Sequence, residues 1–373
     1  MVKNKLSNDV DYSMKFLVAA LLLVCVSATG QLRWNDKPFI KVPENPVMGA
    51  DSSFSFFCPV EQKNVKWQRA DVFNPAAVIK DGKVYLLFRA EDNPKAEIGG
   101  RTSRIGLAVS DESIHFKKHG SPVLYPAKDK FLEFDHPGGC EDPRVVETED
   151  GKYVMAYTSW NSKTARLSIA FSSNLYNWEK KGPAFTTAYG GKYKDQWSKS
   201  GSIITAVENG RPVAAKINGK YWMYWGEHFI NLAWSTDLYN WTPLEDEYGA
   251  LKRLVSTRPG KFDSDLTECG PPAILTDKGI LLLYNGKNST NENASPELPK
   301  GTYSVGHVIF DPSNPEKAIS RSDKPFLRPS LPYEVTGQYA AGTTFAEGLV
   351  FFKGKWFLYY GTADSYVGLA VRD

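Results

Sequence analysis

The chain has 373 residues, of which 45 are basic and 42 acidic, for a formal charge of +3. That length can bury one large core or two ordinary ones, and so even a charge balance gives no basis for a nucleic-acid-binding face. The aromatic fraction of 13%, with 10 Trp and 19 Tyr, suits either a β-rich core or surfaces that stack on sugar rings.

Met14-Lys15, the apolar run from Phe16 to Val26 and the small residues Ser27-Ala28-Thr29-Gly30 have the layout of an export leader cut before Gln31. Translation is read as starting at Met14, and residues 1–30 are set apart from the fold. The run is too short to span a bilayer. The expectation is an exported protein, periplasmic or secreted. A lipid anchor at Cys25 is the alternative, disfavoured by Val24 where a small residue is preferred. Residues 31–373 then form a single domain with Cys58, Cys140 and Cys269, an odd number that argues against a disulfide framework. The histidines are scattered, and neither a metal site nor a cofactor is expected.

Five segments share one pattern. They are "NPAAVIKDGKVYLLFRAED" from Asn74, "DPRVVETEDGKYVMAYTSW" from Asp142, "PVAAKINGKYWMYWGE" from Pro212, "GPPAILTDKGILLLYNG" from Gly270 and "EGLVFFKGKWFLYYGTAD" from Glu347. Each is an apolar run, a glycine-centred turn and a second run rich in aromatics, the strongest short hairpin signal. A third run follows each one, such as "RIGLAVS" from Arg104 and "INLAWS" from Ile230. In the first three copies a polar stretch with an aromatic then reads as a fourth strand. Five small antiparallel sheets predict an all-β, five-bladed β-propeller. The last copy ends at the C-terminus, so its fourth strand is expected from the segment before Asn74.

In each hairpin the start of the first strand and the end of the second share an edge. If the first strands are innermost, these edges surround one mouth of a central channel. The mouth then collects Asn74, Glu141, Asp142, Glu268, Thr344 and Glu347 from strand starts. Strand ends add Arg89, Asp92, Trp160, Glu227, His228, Asn285 and Asp364. Any one of these alone reads more readily as a solvated rim residue; acids beside tight turns in "CEDPR", "WGEHF" and "ECGPP" together point to a site. Several carboxylates with arginines and aromatics suit glycoside cleavage, which needs a protonated acid for the leaving oxygen and a second group that delivers the nucleophile. Alternation along a strand predicts that only one of Glu141 and Asp142 faces the substrate.

The motifs "FNPAAV", "LLFRAED", "SRIGLAVS", "CEDPRV", "GPPAIL" and "YYGTADSYVGLAV" resemble those of glycoside hydrolase family 130, from about Phe73 to the C-terminus. The resemblance implies a five-bladed propeller acting on β-mannosides by an inverting route, either phosphorolytic or hydrolytic. It gives Asp142 the role of general acid, working through a hydroxyl of the sugar being cleaved. It also implies that Asn74, Arg89, Arg104, Arg144 and Asp364 contact the terminal mannose. The phosphorylases resembled carry basic groups for phosphate where this chain has Glu227 and Asn285, and a small or basic residue where it has Glu268. Carboxylates there would repel the dianion and could instead hold and deprotonate water. The reading is an exo-acting β-1,2-mannosidase whose substrate is a mannose-containing oligosaccharide or glycan. Its alternatives are a phosphorylase of the same family, a non-catalytic glycan-binding propeller, and a five-bladed furanosidase.

Overall fold

The computed structural model describes Met1, Trp34, residues 37–96 and residues 100–373. The expected export leader and Cys25 lie outside the described residues. One four-residue α-helix, Leu132–Asp135, and two short 3-10 turns are the helical elements among them; the rest of the regular structure is strand.

Strand pairing proceeds as consecutive antiparallel units. The first runs through Asp71–Lys80, Lys83–Glu91, Ser103–Ser110 and Lys117–Lys118. The second runs through Gly139–Glu147, Tyr153–Trp160, Ala165–Ser172 and Glu179–Pro183. The fourth opens with an interrupted strand, Leu266–Cys269 and Ala273–Thr276, both pieces pairing with Gly279–Lys287, and continues through Tyr303–Asp311 and Asn314–Arg321. The fifth holds Phe345–Phe352, Lys355–Thr362 and Tyr366–Arg372, and its fourth strand is Ile40–Lys41, paired with Val371 and Ala370. The segment before Asn74 therefore completes the last sheet, as the repeat pattern required.

The third unit corrects the sequence reading. Its first strand is Ser202–Glu208, not the run from Pro212. Ser202 and Ile203 pair with Tyr224 and Met223, while Thr205–Glu208 pair with Arg211–Ala214 around the Asn209-Gly210 turn. Two Asn-Gly turns lie close together here, at 209–210 and 218–219, and either could close a hairpin. The inner edge of this unit thus begins at Lys199-Ser200, a run earlier than expected.

First strands are buried along nearly their whole length, as in Gly139–Glu147, whereas last strands such as Asn314–Arg321 are largely exposed. That gradient puts the first strands at the centre. Apolar clusters then join each unit to the next. Ala76, Leu87 and Ile105 meet Val145 and Met155; Val154 and Leu167 meet Ile203 and Met223; Ile204 and Leu232 meet Cys269 and Leu282. Ile274 and Leu283 meet Leu349 and Leu358, and Val350 and Tyr359 of the fifth unit meet Ala77 and Leu86 of the first. Side chains on both faces of each sheet are therefore removed from water, the main source of stability in such a fold.

Lys41, in the closing strand, reaches Glu334 at 2.6 Å, and this carboxylate is fully buried. Removing one partner of a buried pair leaves the other charge uncompensated. Lys41→Ala is expected to lower unfolding free energy by about 3 kcal/mol, read from urea denaturation; a loss below about 0.5 kcal/mol would show that the pair behaves as a surface contact.

Candidate active site

The inner strands do not run straight into the channel mouth. The ladder of the first unit slips between Phe73 and Pro75, that of the second between Glu141 and Arg144, and that of the fifth between Ala346 and Gly348. Such bulges place one extra residue on the inner strand and re-aim its side chain. The extra residues include Asn74, Asp142 and Glu347. Asn74 and Asp142 adopt left-handed backbone, with φ of 46° and 48°, and Ser200, just before the third inner strand, has φ of 56°. Short polar side chains tolerate this region better than branched ones. Gly361 makes room for the first bulge: a Cβ there would lie 1.9 Å from Asn74 Oδ1.

The bulge also overrides strand alternation. Glu141 and Asp142 both face Arg89, which contacts Glu141 Oε1 at 2.9 Å and Asp142 Oδ1 at 3.2 Å. The expectation that only one of the two could face the site is therefore corrected. Arg89 also donates to Glu91 Oε1 at 2.7 Å and to Ser103 Oγ at 3.1 Å. Asn74 Nδ2 donates to Asp142 Oδ1 at 2.9 Å, and Lys199 Nζ stands 3.8 Å from Asp142 Oδ2. Ser200 Oγ donates to Glu268 Oε1.

Buried carboxyls outnumber the cations among them, and their protonation divides accordingly. Burial raises Glu141 to about 7, with Asp142 adding repulsion and Arg89 opposing it. Burial likewise raises Glu268 to about 7, Glu227 reinforcing it and Lys199 and Arg144 opposing it. Asp364 is pushed to about 6 by burial, then by Asp142 and Glu91, against the pull of Arg89. Glu347, with no exposed surface, is pushed well up by burial. Asp142 goes the other way: burial opposes its charge, but Arg89, Lys199, Arg144 and the Asn74 hydrogen bond together hold it below the usual carboxylate range. Lys199 stays protonated because Glu227, Glu268, Asp142 and Glu141 outweigh its burial. Near neutrality the cluster thus contains an ionised Asp142 next to carboxyls that titrate close to that pH, the division on which general acid–base chemistry depends.

Glu227 is half-buried at the edge of the cluster, and Trp197 Nε1 donates to its Oε2 at 2.8 Å. Trp197 is 44% exposed and meets Trp160 edge to face, ring centroids 5.7 Å apart. From this point an open cleft of about 870 Å³ leads outward past Phe229, Asn231 and Arg253. An exposed indole beside carboxylates is the surface a sugar ring stacks on.

Several residues expected at the sugar are engaged elsewhere. Arg104 turns to the hairpin near Phe56, pairing with Asp92 at 2.6 Å and Glu61 at 3.2 Å, so Arg104 and Asp92 serve each other. Asn285 is fully buried and clips the fourth unit to the fifth, accepting from the Ala346 N–H at 2.8 Å and donating to its carbonyl at 3.1 Å. Arg144 is buried against backbone carbonyls of Asp142, Cys269 and Gly270. Lys199 and Ser200 precede the Pro212 run that the repeat pattern takes as the third inner strand, so the sequence does not mark them. Glu91 sits inside the quoted "LLFRAED" motif, and Trp197 carries no local signal. Cys58, Cys140 and Cys269 are free buried thiols, so Cys140 and Cys269 are not paired. Among the described residues no group of three His, Cys, Asp or Glu side chains is arranged to hold a metal ion.

Comparison with known proteins bears on this arrangement. The family model of glycoside hydrolase family 130, described as β-1,4-mannooligosaccharide phosphorylase, matches residues 40–373. A 1,2-β-oligomannan phosphorylase of Thermoanaerobacter sp. (strain X514) is 33% identical over 83% of this chain and 92% of its own. A crystal structure of a glycosyl hydrolase from Bacteroides ovatus superposes with a TM-score of 0.88 at 47% identity, covering 92% of this chain and 96% of that one. Another solved structure, from work describing glycoside hydrolases of this family that target β-1,2-mannosidic linkages in Candida mannan, has a TM-score of 0.89 at 49% identity over 92% and 96% of the two chains.

The raised Glu268 has a consequence for stability. Between its ordinary value of 4.5 and about 7 the folded chain holds a proton that the unfolded chain releases, so this group's contribution is complete below 4.5 and is lost as pH rises through 7. Glu268→Gln removes that loss. The variant is expected to gain on the order of 3 kcal/mol over the parent at pH 8 and little at pH 4, measured by denaturation at both pH values; equal stability differences at the two would contradict a raised value.

Proposed function

The chain belongs to glycoside hydrolase family 130, and on that premise we propose that it is an exported, inverting, exo-acting β-mannosidase that hydrolyses β-1,2-mannosidic linkages on a five-bladed β-propeller. The observation that carries the hydrolytic reading is the pair of carboxyls, Glu227 and Glu268, gathered with Asp142 around the single ammonium of Lys199. An anion as large and charged as phosphate would meet both carboxyls at the face where the nucleophile must stand, whereas a water molecule would find acceptors for its protons. The similarity to a structure from work on β-1,2-mannoside hydrolases supports the same direction. The five clusters that join successive sheets, with the fifth returning to the first, support the propeller.

In this reading the terminal mannose sits over Asn74, Arg89, Glu141, Asp142 and Asp364. Asp142 is the general acid, acting through a sugar hydroxyl. Because Arg89, Lys199 and Asn74 hold it ionised in the free pocket, its proton must be supplied as the sugar binds. Glu141, joined to it through Arg89 and raised to about 7, is a group that can supply it. Glu227 and Glu268 hold and deprotonate the water that attacks the opposite face of the anomeric carbon. Glu268, ionising near 7, can take that proton.

The second reading is a mannoside phosphorylase. It is favoured by the relatives named as phosphorylases and by Lys199 and Arg89, cations within reach of a bound anion. Products from β-1,2-mannobiose with and without phosphate separate the two. Free mannose at a phosphate-independent rate is expected; strict phosphate dependence with release of mannose 1-phosphate would replace hydrolysis by phosphorolysis. Single Glu227→Gln and Glu268→Gln substitutions are expected to lower kcat by at least about 100-fold with KM changed far less. Near-native turnover in both would end the water-activation proposal, and an unaltered rate in Asp142→Asn would remove Asp142 from the mechanism.

A further inference from the structure

Arg144 lies within the "EDPR" motif, yet its side chain is only 1% exposed. Its guanidinium joins two places where the inner strands lose their own pairing. In the second unit the ladder breaks between Glu141 and Arg144. In the fourth, the inner strand stops at Cys269 and resumes at Ala273. Across that gap Arg144 Nη1 donates to the Asp142 carbonyl at 3.0 Å, Nη2 to the Cys269 carbonyl at 2.8 Å and Nε to the Gly270 carbonyl at 3.2 Å. Glu347 of the fifth unit lies 3.2 Å from Nη2 on the remaining side.

The three acceptors are significant for where they sit. One belongs to Asp142 itself, and the other two follow Glu268 directly in the chain. A sheet normally fixes its backbone by a ladder of N–H and C=O pairs; Asp142 sits in the bulge where that ladder breaks, and Glu268 and Cys269, paired with Asn285 and Tyr284, are the last rungs before the fourth inner strand is interrupted. We propose that Arg144 is a positioning residue that sets Asp142 and Glu268 against each other across the channel and touches no sugar. The planar fork suits this role, since its donors point at fixed angles to several acceptors at once, which an ammonium on a flexible stem does not reproduce. Glycoside cleavage with inversion depends on the separation of its two carboxyl groups, and a displacement of about 1 Å can cost about 100-fold in rate.

The proposal rests on the assignment of Asp142 and Glu268 to the β-mannoside reaction, and the experiment keeps the two questions apart. Wild-type enzyme is assayed on β-1,2-mannobiose with and without phosphate, which tests the reaction itself. Variants are then compared with wild type under whichever condition is active. Arg144→Lys keeps the charge and loses the fork. Gly270→Ala leaves Arg144 intact but displaces a carbonyl it holds, because a Cβ there would stand 2.8 Å from the Leu283 carbonyl oxygen. Folding of each is checked by thermal melting. Both are expected to lose about 100-fold in kcat while KM changes less than about threefold. A wild-type kcat in a folded Arg144→Lys variant overturns the proposal. So does a rise in KM with kcat kept, which would make Arg144 a sugar contact. If Arg144→Lys does not fold, Gly270→Ala decides alone: a folded variant with unchanged kcat overturns the proposal, and a kcat loss at constant KM upholds it.

Discussion

Arg89 holds one guanidinium within 3.2 Å of three carboxyls, those of Glu91, Glu141 and Asp142. Taking that many acids out of water with too few cations is strongly unfavourable unless some of them stay protonated. The cluster resolves the conflict unevenly. Asp142, which also receives Asn74 and approaches Lys199, keeps its charge. Glu141, Glu268 and Glu347 are driven toward their neutral forms. The acid–base character of the site is therefore a property of the group, set by how three cations are shared, and removing any one of them changes the protonation of the rest.

The backbone makes that crowding possible. A regular antiparallel strand presents alternate side chains to opposite faces and could not direct Glu141 and Asp142 at one arginine. The bulges do so by inserting a residue in left-handed backbone at Asn74 and Asp142. Each bulge interrupts the ladder that would otherwise hold the strand in place. Side chains replace the lost pairing, as Asn285 clips the fourth unit to the fifth and Arg144 ties the second to the fourth. Polar residues in the middle of the molecule thus divide into those that face the reaction and those that stand in for backbone hydrogen bonds.

Much of the fold was legible because the repeat is built from local signals. Glycine-centred turns between apolar runs marked four of the five hairpins in their observed frame. The shortage of a last strand at the C-terminus pointed to the N-terminal segment, which pairs through Ile40 and Lys41. The third unit failed where two Asn-Gly turns lie nine residues apart, because local chemistry alone does not say which one closes the inner hairpin. Lys199 and Ser200 were overlooked for that reason.

The sequence by itself determined the order of the repeated hairpins, most of the strand ends at which polar residues collect, and the family to which the chain belongs, because each of these depends on residues close together along the chain. Tertiary structure alone decided which collected residues meet. Arg104 and Asp92 sit at strand ends like Arg89 and Asp364, yet they face an outer hairpin, and Asn285 turns between two units. Whether Glu141 joins Asp142, and whether Arg144 holds a sugar or a backbone, depends on bulges and on contacts between units more than a hundred residues apart in sequence, such as that from Arg144 to Cys269. Protonation was out of reach for the same physical reason: the charge on a buried carboxyl follows from the fields of all its neighbours at once, and those neighbours come from strands far apart in the chain.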